Sequence, residues 1–284
     1  MTGGVTSAPP EWLHVHRGEG PLLLSIPHAG TRIPAEHAAE FVSLWRARKD
    51  ADWFLGELYG FAKAMGATIV ATALSRSVID VNRDPSGASL YPGQATTELC
   101  PTTTFDGEPL YHPGAAPDPA AIADRRERYF APYHAALEVE IARLRARHAR
   151  IVLYDCHSIR SEIPRLFRGP LPVFNLGTND GAACDRSLRA RLGALMVASG
   201  RAHVTDGRFK GGWITRHHGA PGAGVHAVQM ELATRAYLRE PLGAVSEADW
   251  PPPYDADLAA PLAAELRGML AACIRFCETE ESAP

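Results

Sequence analysis

The chain has 284 residues, 46% of them hydrophobic, which is enough for one large domain with a substantial core. With 29 basic and 32 acidic residues its formal net charge is −3, which excludes the strong positive field that gathers nucleic acid or coats a membrane surface. Five irregularly spaced cysteines make no disulfide framework and no apolar run approaches the roughly 20 residues that span a bilayer, so a cytoplasmic protein with a small-molecule partner is expected.

In chain order, the opening MTGGVTSAPPEWLHVHRGEG lacks the basic and apolar regions of a signal peptide. The first strand expected is Leu22–Ile26, inside PLLLSIPHAG, and it runs out onto His28. Helical patterns cover Glu36–Ala47 and Asp50–Met65, and a strand is expected at Thr68–Ala71. The stretch SRSVIDVNRDP then concentrates Arg76, Asn82 and Arg83. From about 84 to 119 the chain is rich in Pro, Gly and Thr yet carries Tyr91, Phe105 and Tyr111, so it reads as an ordered excursion over a site. A long helical pattern spans Asp118–Ala149.

The strand Ile151–Tyr154 is expected to end abruptly on Asp155, Cys156, His157 and Ser158. A further strand is read at Leu171–Leu176, a helix at Asp180–Gly200, and an alternating strand at Val225–Leu232 that contains Glu231. The last helix, Leu258–Cys277, places Cys273 and Cys277 one turn apart as core positions, with a frayed tail after residue 277. Strands alternating with helices, with no linker between them, predict a single α/β domain over 1–284 with a mixed, largely parallel sheet and helices on both faces. In such sheets ligands bind beyond the carboxyl ends of the strands, where His28, His157 and Glu231 all fall.

Two neutral imidazoles and one carboxylate form a catalytic zinc set with a position left open. His28 and His157 supply the imidazoles, and Asp50 or Asp52 in KDADWF is the nearest carboxylate in sequence; for Asp50 a helix-capping role is the better reading. A planar guanidinium at Arg76 or Arg83 can grip a carboxylate, although both arginines could equally pair with Asp80 and Asp84. Glu231 closes an apolar strand, where a dry setting would raise its pKa toward that of a general base. Asp155 is expected to support a histidine or cap a loop. Cys156 beside His157 invites a thiol-nucleophile reading, but neighbours on an extended chain point to opposite sides.

Seven ordered blocks, SIPHAG, DADW, SRSVIDVNRDP, LYPGQATTELCPTTTFDGEPLY, YDCHSIRS, GGWITRHHG and VHAVQMELA, together resemble the N-formylglutamate amidohydrolase family from about Pro21 to about Leu238. The resemblance implies a zinc-carboxypeptidase-like fold, shared with the acylamino-acid deacylases. It implies metal ligation by His28, Asp52 and His157, with Ala51 standing where the family usually has threonine. In the carboxypeptidases a glutamate three residues after the first histidine is a ligand; Thr31 stands there in this chain, which supports Asp52 in that role. It further implies Glu231 as general base, Arg76 as oxyanion stabiliser, and Asn82 with Arg83 on a substrate carboxylate.

A glutamate substrate carries two carboxylates, and Arg160 and Arg216 are the candidates for the second, with Gly211 and Gly212 either admitting the ligand or shaping a turn. His217, His218 and His226 are ambiguous: a structural role is the better reading for each, with room for one of them to line the pocket. The expected reaction is metal-dependent hydrolysis of N-formyl-L-glutamate to formate and L-glutamate, placed by the resemblance at the end of histidine degradation. Zn²⁺ suits the ligand set, and other divalent transition metals can occupy similar sites. The expected partner is a small anionic N-acyl amino acid, with no nucleic acid or membrane, for a monomer or small homo-oligomer. The rival readings are a deacylase of another N-acyl acidic amino acid, a thiol hydrolase and a non-catalytic anion-binding protein.

Overall fold

A strand that is apolar on both faces is stable only where both faces are covered. The run LLLSI, every residue of it buried, is such a strand, and it lies inside a seven-stranded mixed sheet. The computed structural model describes residues 10–90, 93 and 96–279. Its strands are β1 (Leu13–His16), β2 (Leu22–Ile26), β3 (Thr68–Thr72), β4 (Ile151–Ile159), β5 (Phe174–Gly177), β6 (His203–Thr205) and β7 (Val225–Ala233), in the spatial order β1-β3-β2-β4-β7-β5-β6. The central strands β3, β2, β4 and β7 are parallel, while β1 joins β3 and β5 joins β7 antiparallel.

The helices are α1 (Ala35–Ala38), α2 (Leu55–Leu58), α3 (Pro119–Arg125), α4 (Ala131–Arg145), α5 (Arg186–Ala198), α6 (Trp213–His218) and α7 (Ala256–Glu278). Asp118 caps α3 by accepting from the Ala121 N–H at 2.8 Å, just before Pro119, and a π-helical turn over Arg126–Phe130 joins α3 to α4. Alternation sorts the core into two layers. Leu22, Leu24, Val152, Tyr154, Cys156, Val228 and Met230 pack with residues of α5 and α7, while Leu23, Leu153 and Ala227 pack with Tyr133 and Leu137 of α4. No described helix is long and apolar enough to cross a membrane.

Several expected elements change. β4 does not stop at Tyr154 but continues to Ile159, so Asp155, Cys156, His157 and Ser158 are strand residues rather than a loop beyond one. The short edge strands β1 and β6 have half-exposed patterns that carry no strong apolar period, and sequence reading misses both. The expected strand Leu171–Leu176 begins only at Phe174, after Pro172.

The helices expected over Glu36–Ala47 and Asp50–Met65 are reduced to single turns and 3-10 pieces. Here tertiary bonds outcompete the helix: the Asp52 N–H donates to the His28 carbonyl at 2.9 Å, and Phe54, at φ 62°, takes a left-handed conformation that no helix continues. Asp50 caps nothing; its Oδ2 accepts the Phe105 N–H at 2.6 Å. Tyr91 lies outside the described residues, as does the expected tail from residue 280, while α7 itself reaches Glu278.

Candidate metal centre and active site

The parallel register of β4 and β7 builds the floor of the site. Asp155 stands opposite Gln229, and His157 opposite Glu231, so alternation aligns all four on one face. The intervening Cys156 stands opposite Met230 on the other face, in the core under α5 and α7. Burial pushes the Cys156 thiol well above its ordinary value, which leaves it no thiolate to attack with.

His28 lies just past the end of β2, and Asp52 is carried to it by the backbone bond between the two residues. One ligand atom from each of His28, Asp52 and His157 falls within 4.8 Å of the others, and all three residues are buried. An ionised carboxylate only accepts, so Asp80 places a proton on His28 Nε2, and Asp155 places one on His157 Nε2. His28 Nε2–H donates to Asp80 Oδ1 at 2.8 Å, and His157 Nε2–H donates to Asp155 Oδ2 at 2.9 Å. Both Nδ1 atoms are thereby turned toward Asp52, the arrangement of histidines ordered by outer carboxylates around a metal.

Three observations fit a cation in this cluster. His28 Nδ1 and Asp52 Oδ1 are buried and make no hydrogen bond among the described residues. His157 Nδ1 is 3.2 Å from Asp52 Oδ2. Burial opposes charge on His157, yet Asp155 and Asp52 together hold its pKa well above the usual histidine value, so the cluster retains a proton where a metal ion would supply the positive charge. The His-Asp-His set can hold a divalent metal.

Asp80 is the organising residue that sequence reading treated only as an arginine partner. Beyond His28, it accepts from Arg76 at 2.6 Å and from the Asn82 N–H at 2.9 Å, with Arg83 at 3.7 Å. Its burial is offset by Arg83, His28 and Arg76, which hold its carboxyl well below the ordinary range. Asn82 is equally committed: its Nδ2 donates to Asp155 Oδ2 at 3.1 Å, and its Oδ1 accepts the Ile214 N–H at 2.8 Å. The amide therefore braces the Asp155–His157 pair.

The cleft over this floor spans about 570 Å³ of space, part of it open to solvent. Its lining includes His28, His157 and Glu231, the polar residues Arg76, Asn82, Arg83 and Gly212, and the apolar residues Phe105, Ile159, Leu166 and Phe209. The excursion after Asp84 supplies Thr96, Thr97 and Phe105. It is held down by Lys49, whose ammonium is 2.6 Å from both Asp106 and Glu108. Phe105 lies over the Arg76 guanidinium at 4.8 Å. Glu231 is buried, and burial raises its pKa to about 7 against the opposing pull of His157. Its Oε2 accepts from Gln229 Nε2 at 3.3 Å.

Arg160 and Arg216, expected at a second carboxylate, are not among the lining residues. Arg160 bonds Asp106 at 2.6 Å, and Arg216 Nε donates to the Gly211 carbonyl at 2.8 Å. An arginine that sequence reading passed over, Arg208, does line the cavity. Of the other histidines, His218 bonds His134 at 3.0 Å, His217 stacks on Trp213, and the His226 ring packs against Phe276. None of His217, His218 and His226 reaches the cavity.

The model of the N-formylglutamate amidohydrolase family matches residues 20–238. The chain is also 48% identical over 265 residues to an N-formylglutamate deformylase of Pseudomonas aeruginosa, covering 92% of this chain and 95% of that one. The chain belongs to the N-formylglutamate amidohydrolase family. A second deformylase, from Pseudomonas putida, is 45% identical over 93% of this chain and 96% of its own length. The fold matches the crystal structure of N-formylglutamate amidohydrolase from Ralstonia eutropha JMP134 with a TM-score of 0.72 at 23% identity, over 94% of this chain and 97% of that one. A gene product of Agrobacterium tumefaciens gives 0.71 at 18%, over 94% and 96%.

In this amidohydrolase Gly212 has a packing reason to lack a side chain: a Cβ there would stand 2.5 Å from both amide atoms of Asn82. Its N–H meanwhile donates to Gln229 Oε1 at 2.7 Å. The G212A variant is expected to displace Asn82, loosen the Asp155–His157 pair and weaken the affinity of the cluster for a divalent metal by about 10–100-fold, the usual cost of a lost outer partner. Competition with a chromophoric chelator measures it; unchanged affinity would show that Asn82 braces nothing.

Proposed function

We propose that the chain hydrolyses the formyl amide of N-formyl-L-glutamate, releasing formate and L-glutamate, with a divalent ion held by His28, Asp52 and His157. The observation that carries the reading is the register pair His157–Glu231, which sets a buried carboxylate beside the metal-competent cluster in the lining of the cavity. Relatives named deformylase at 45–48% identity support the choice of substrate. Zinc matches two imidazoles and one carboxylate best.

When bound, the ion would act as a Lewis acid on water and on the formyl oxygen. Glu231 takes the proton of the attacking water and delivers it to the departing amine nitrogen as the C–N bond breaks. Arg76, tethered by Asp80 and stacked under Phe105, faces the oxyanion of the tetrahedral intermediate with its position already set. Arg83 grips the α-carboxylate; Thr97 holds it in place, accepting from its Nε and NH2 at 3.1 Å each. In the cytoplasm, such a reaction would complete a histidine-degradation route.

A formate-release assay on N-formyl-L-glutamate, N-formyl-L-aspartate and N-acetyl-L-glutamate tests the reading. Turnover is expected to be fastest on N-formyl-L-glutamate and to survive in Cys156→Ala, whose thiol lies on the far face of the sheet. Preference for N-acetyl-L-glutamate would make the chain a deacylase instead, and activity lost with Cys156 would revive thiol chemistry.

A further inference from the structure

We infer that Arg208 holds the side-chain carboxylate of the substrate and makes the site select an acidic over a neutral N-formyl amino acid. This rests on the deformylase reading above and goes further, assigning the second of the two negative charges that a glutamate substrate brings.

Three arginines line the cavity among the described residues, and they occupy different settings. Arg76 belongs to the reacting end: its NH2 is 2.6 Å from Asp80 Oδ2 and its NH1 is 3.8 Å from Asp52 Oδ1. Arg83 has its NH2 3.7 Å from Asp80 Oδ2, on the carboxylate that also holds His28 and Arg76, which keeps it near the metal-competent cluster and suits it to the α-carboxylate. Arg208 comes from the segment between β6 and α6. Its Nε donates to the Leu166 carbonyl at 3.0 Å, and its guanidinium carbon stands 5.3 Å from the centre of the Phe209 ring.

Leu166 and Phe209 themselves line the cavity, together with Phe105 and Ile159. Arg76 meets this apolar wall at Phe105 but is tied to Asp80, whereas Arg208 meets it at Leu166 and Phe209, and a wall of that kind with a guanidinium on it matches a side chain of two methylenes ending in a carboxylate. A cation in an apolar wall is less screened by water, so its pairing with an anion is worth more than at an open surface. Stacking and the Leu166 bond also pre-orient the planar fork, which a flexible ammonium cannot reproduce.

The test compares kcat/KM for N-formyl-L-glutamate and its neutral isostere N-formyl-L-glutamine in wild type, Arg208→Met and Arg208→Lys. In R208M the acid is expected to lose on the order of 100-fold, chiefly through KM, as when one partner of a desolvated charge pair is truncated. The amide is expected to change by less than about threefold, so that selectivity collapses. R208K should recover only part of the loss and serves as the folding control.

An equal fall on both substrates would overturn the inference, because Arg208 would then merely shape the wall. A preserved preference for the acid in R208M would overturn it as well. If wild type turns over neither substrate, the deformylase reading falls, and calorimetric titration with glutarate decides the role of Arg208 separately. Glutarate binding lost in R208M sustains that role; unchanged binding ends it.

Discussion

Replacing Glu231 by Gln is expected to lower kcat on N-formyl-L-glutamate by on the order of 10³-fold, within the span that a positioned general base contributes, with KM changing little. The substitution keeps the shape of the side chain and the contact with Gln229, and it removes only the capacity to accept a proton. His157 lies opposite Glu231 in the β4–β7 register, and the carboxylates that bond the two histidines are already engaged. Asp52 is a candidate ligand, and Asp80 and Asp155 are committed to the two histidines.

The same residue sets a pH dependence whose sign can be worked out. Burial raises the Glu231 pKa from its ordinary value to about 7, and a base must be deprotonated to act, so kcat/KM rises with pH through that pKa. A divalent cation at the ligands would draw it downward, which puts the acid limb at or below pH 7 in the metal-loaded enzyme.

For stability the sign is opposite. A carboxyl whose folded pKa lies above its unfolded one favours folding at low pH, and that contribution is lost as pH rises from the unfolded value through the folded one. The metal-free E231Q protein is therefore expected to melt above metal-free wild type at pH 8, with the gap closing as pH falls. Pre-steady-state formate release and calorimetric melts measure the two effects. Undiminished turnover in E231Q would sink the assignment of the base.

Removing the metal is the second large effect. On the proposed metal-dependent reading, dialysis against a strong chelator is expected to reduce turnover by at least about 10³-fold, since a bound ion would supply both nucleophile activation and carbonyl polarisation, and added Zn²⁺ is expected to restore it. His157→Ala should lose the bound ion and resist rescue, because the remaining His28 and Asp52 leave too few protein donors for a catalytic site. Asp52→Ala should behave alike and also release the Ser158 N–H, which bonds Asp52 Oδ2 at 3.1 Å. Metal content by mass spectrometry and melting temperature check both variants: one ion per chain is expected in wild type, and it would stabilise the native state by about 4 kcal/mol when free metal is 1,000 times its Kd. Full activity in a metal-free preparation would overturn the cluster's role.

Much of the frame was legible because hydrophobic period is local. LLLSI, the run before Asp155 and the alternation in VHAVQMEL each state a strand within a few residues, and a sheet rule then sends their carboxyl ends to a common edge. That reasoning was enough to single out His28, His157 and Glu231. It failed where distant partners override local preference. The segment around Asp52 reads as helix, yet the bond from its N–H to the His28 carbonyl and the anchoring of Asp50 by Phe105 break the helix into turns.

Side-chain partnership across long separations was equally hidden. Asp80 looked like a surface partner for arginines until the fold placed it against His28, 52 residues away. Arg160 looked available until Asp106, 54 residues away, was brought within 2.6 Å of it.

The amino-acid sequence by itself determined the alternation of strands and helices, the family and the residue types able to bind metal and move a proton, because these depend on local periodicity and on ordered motifs. Only the tertiary structure decided which imidazole nitrogen faces Asp52, which arginines line the cavity, and that Cys156 belongs to the core. Those outcomes depend on strand register and on contacts between residues far apart in the chain, and a shift of one residue in β4 would exchange the faces of Cys156 and His157.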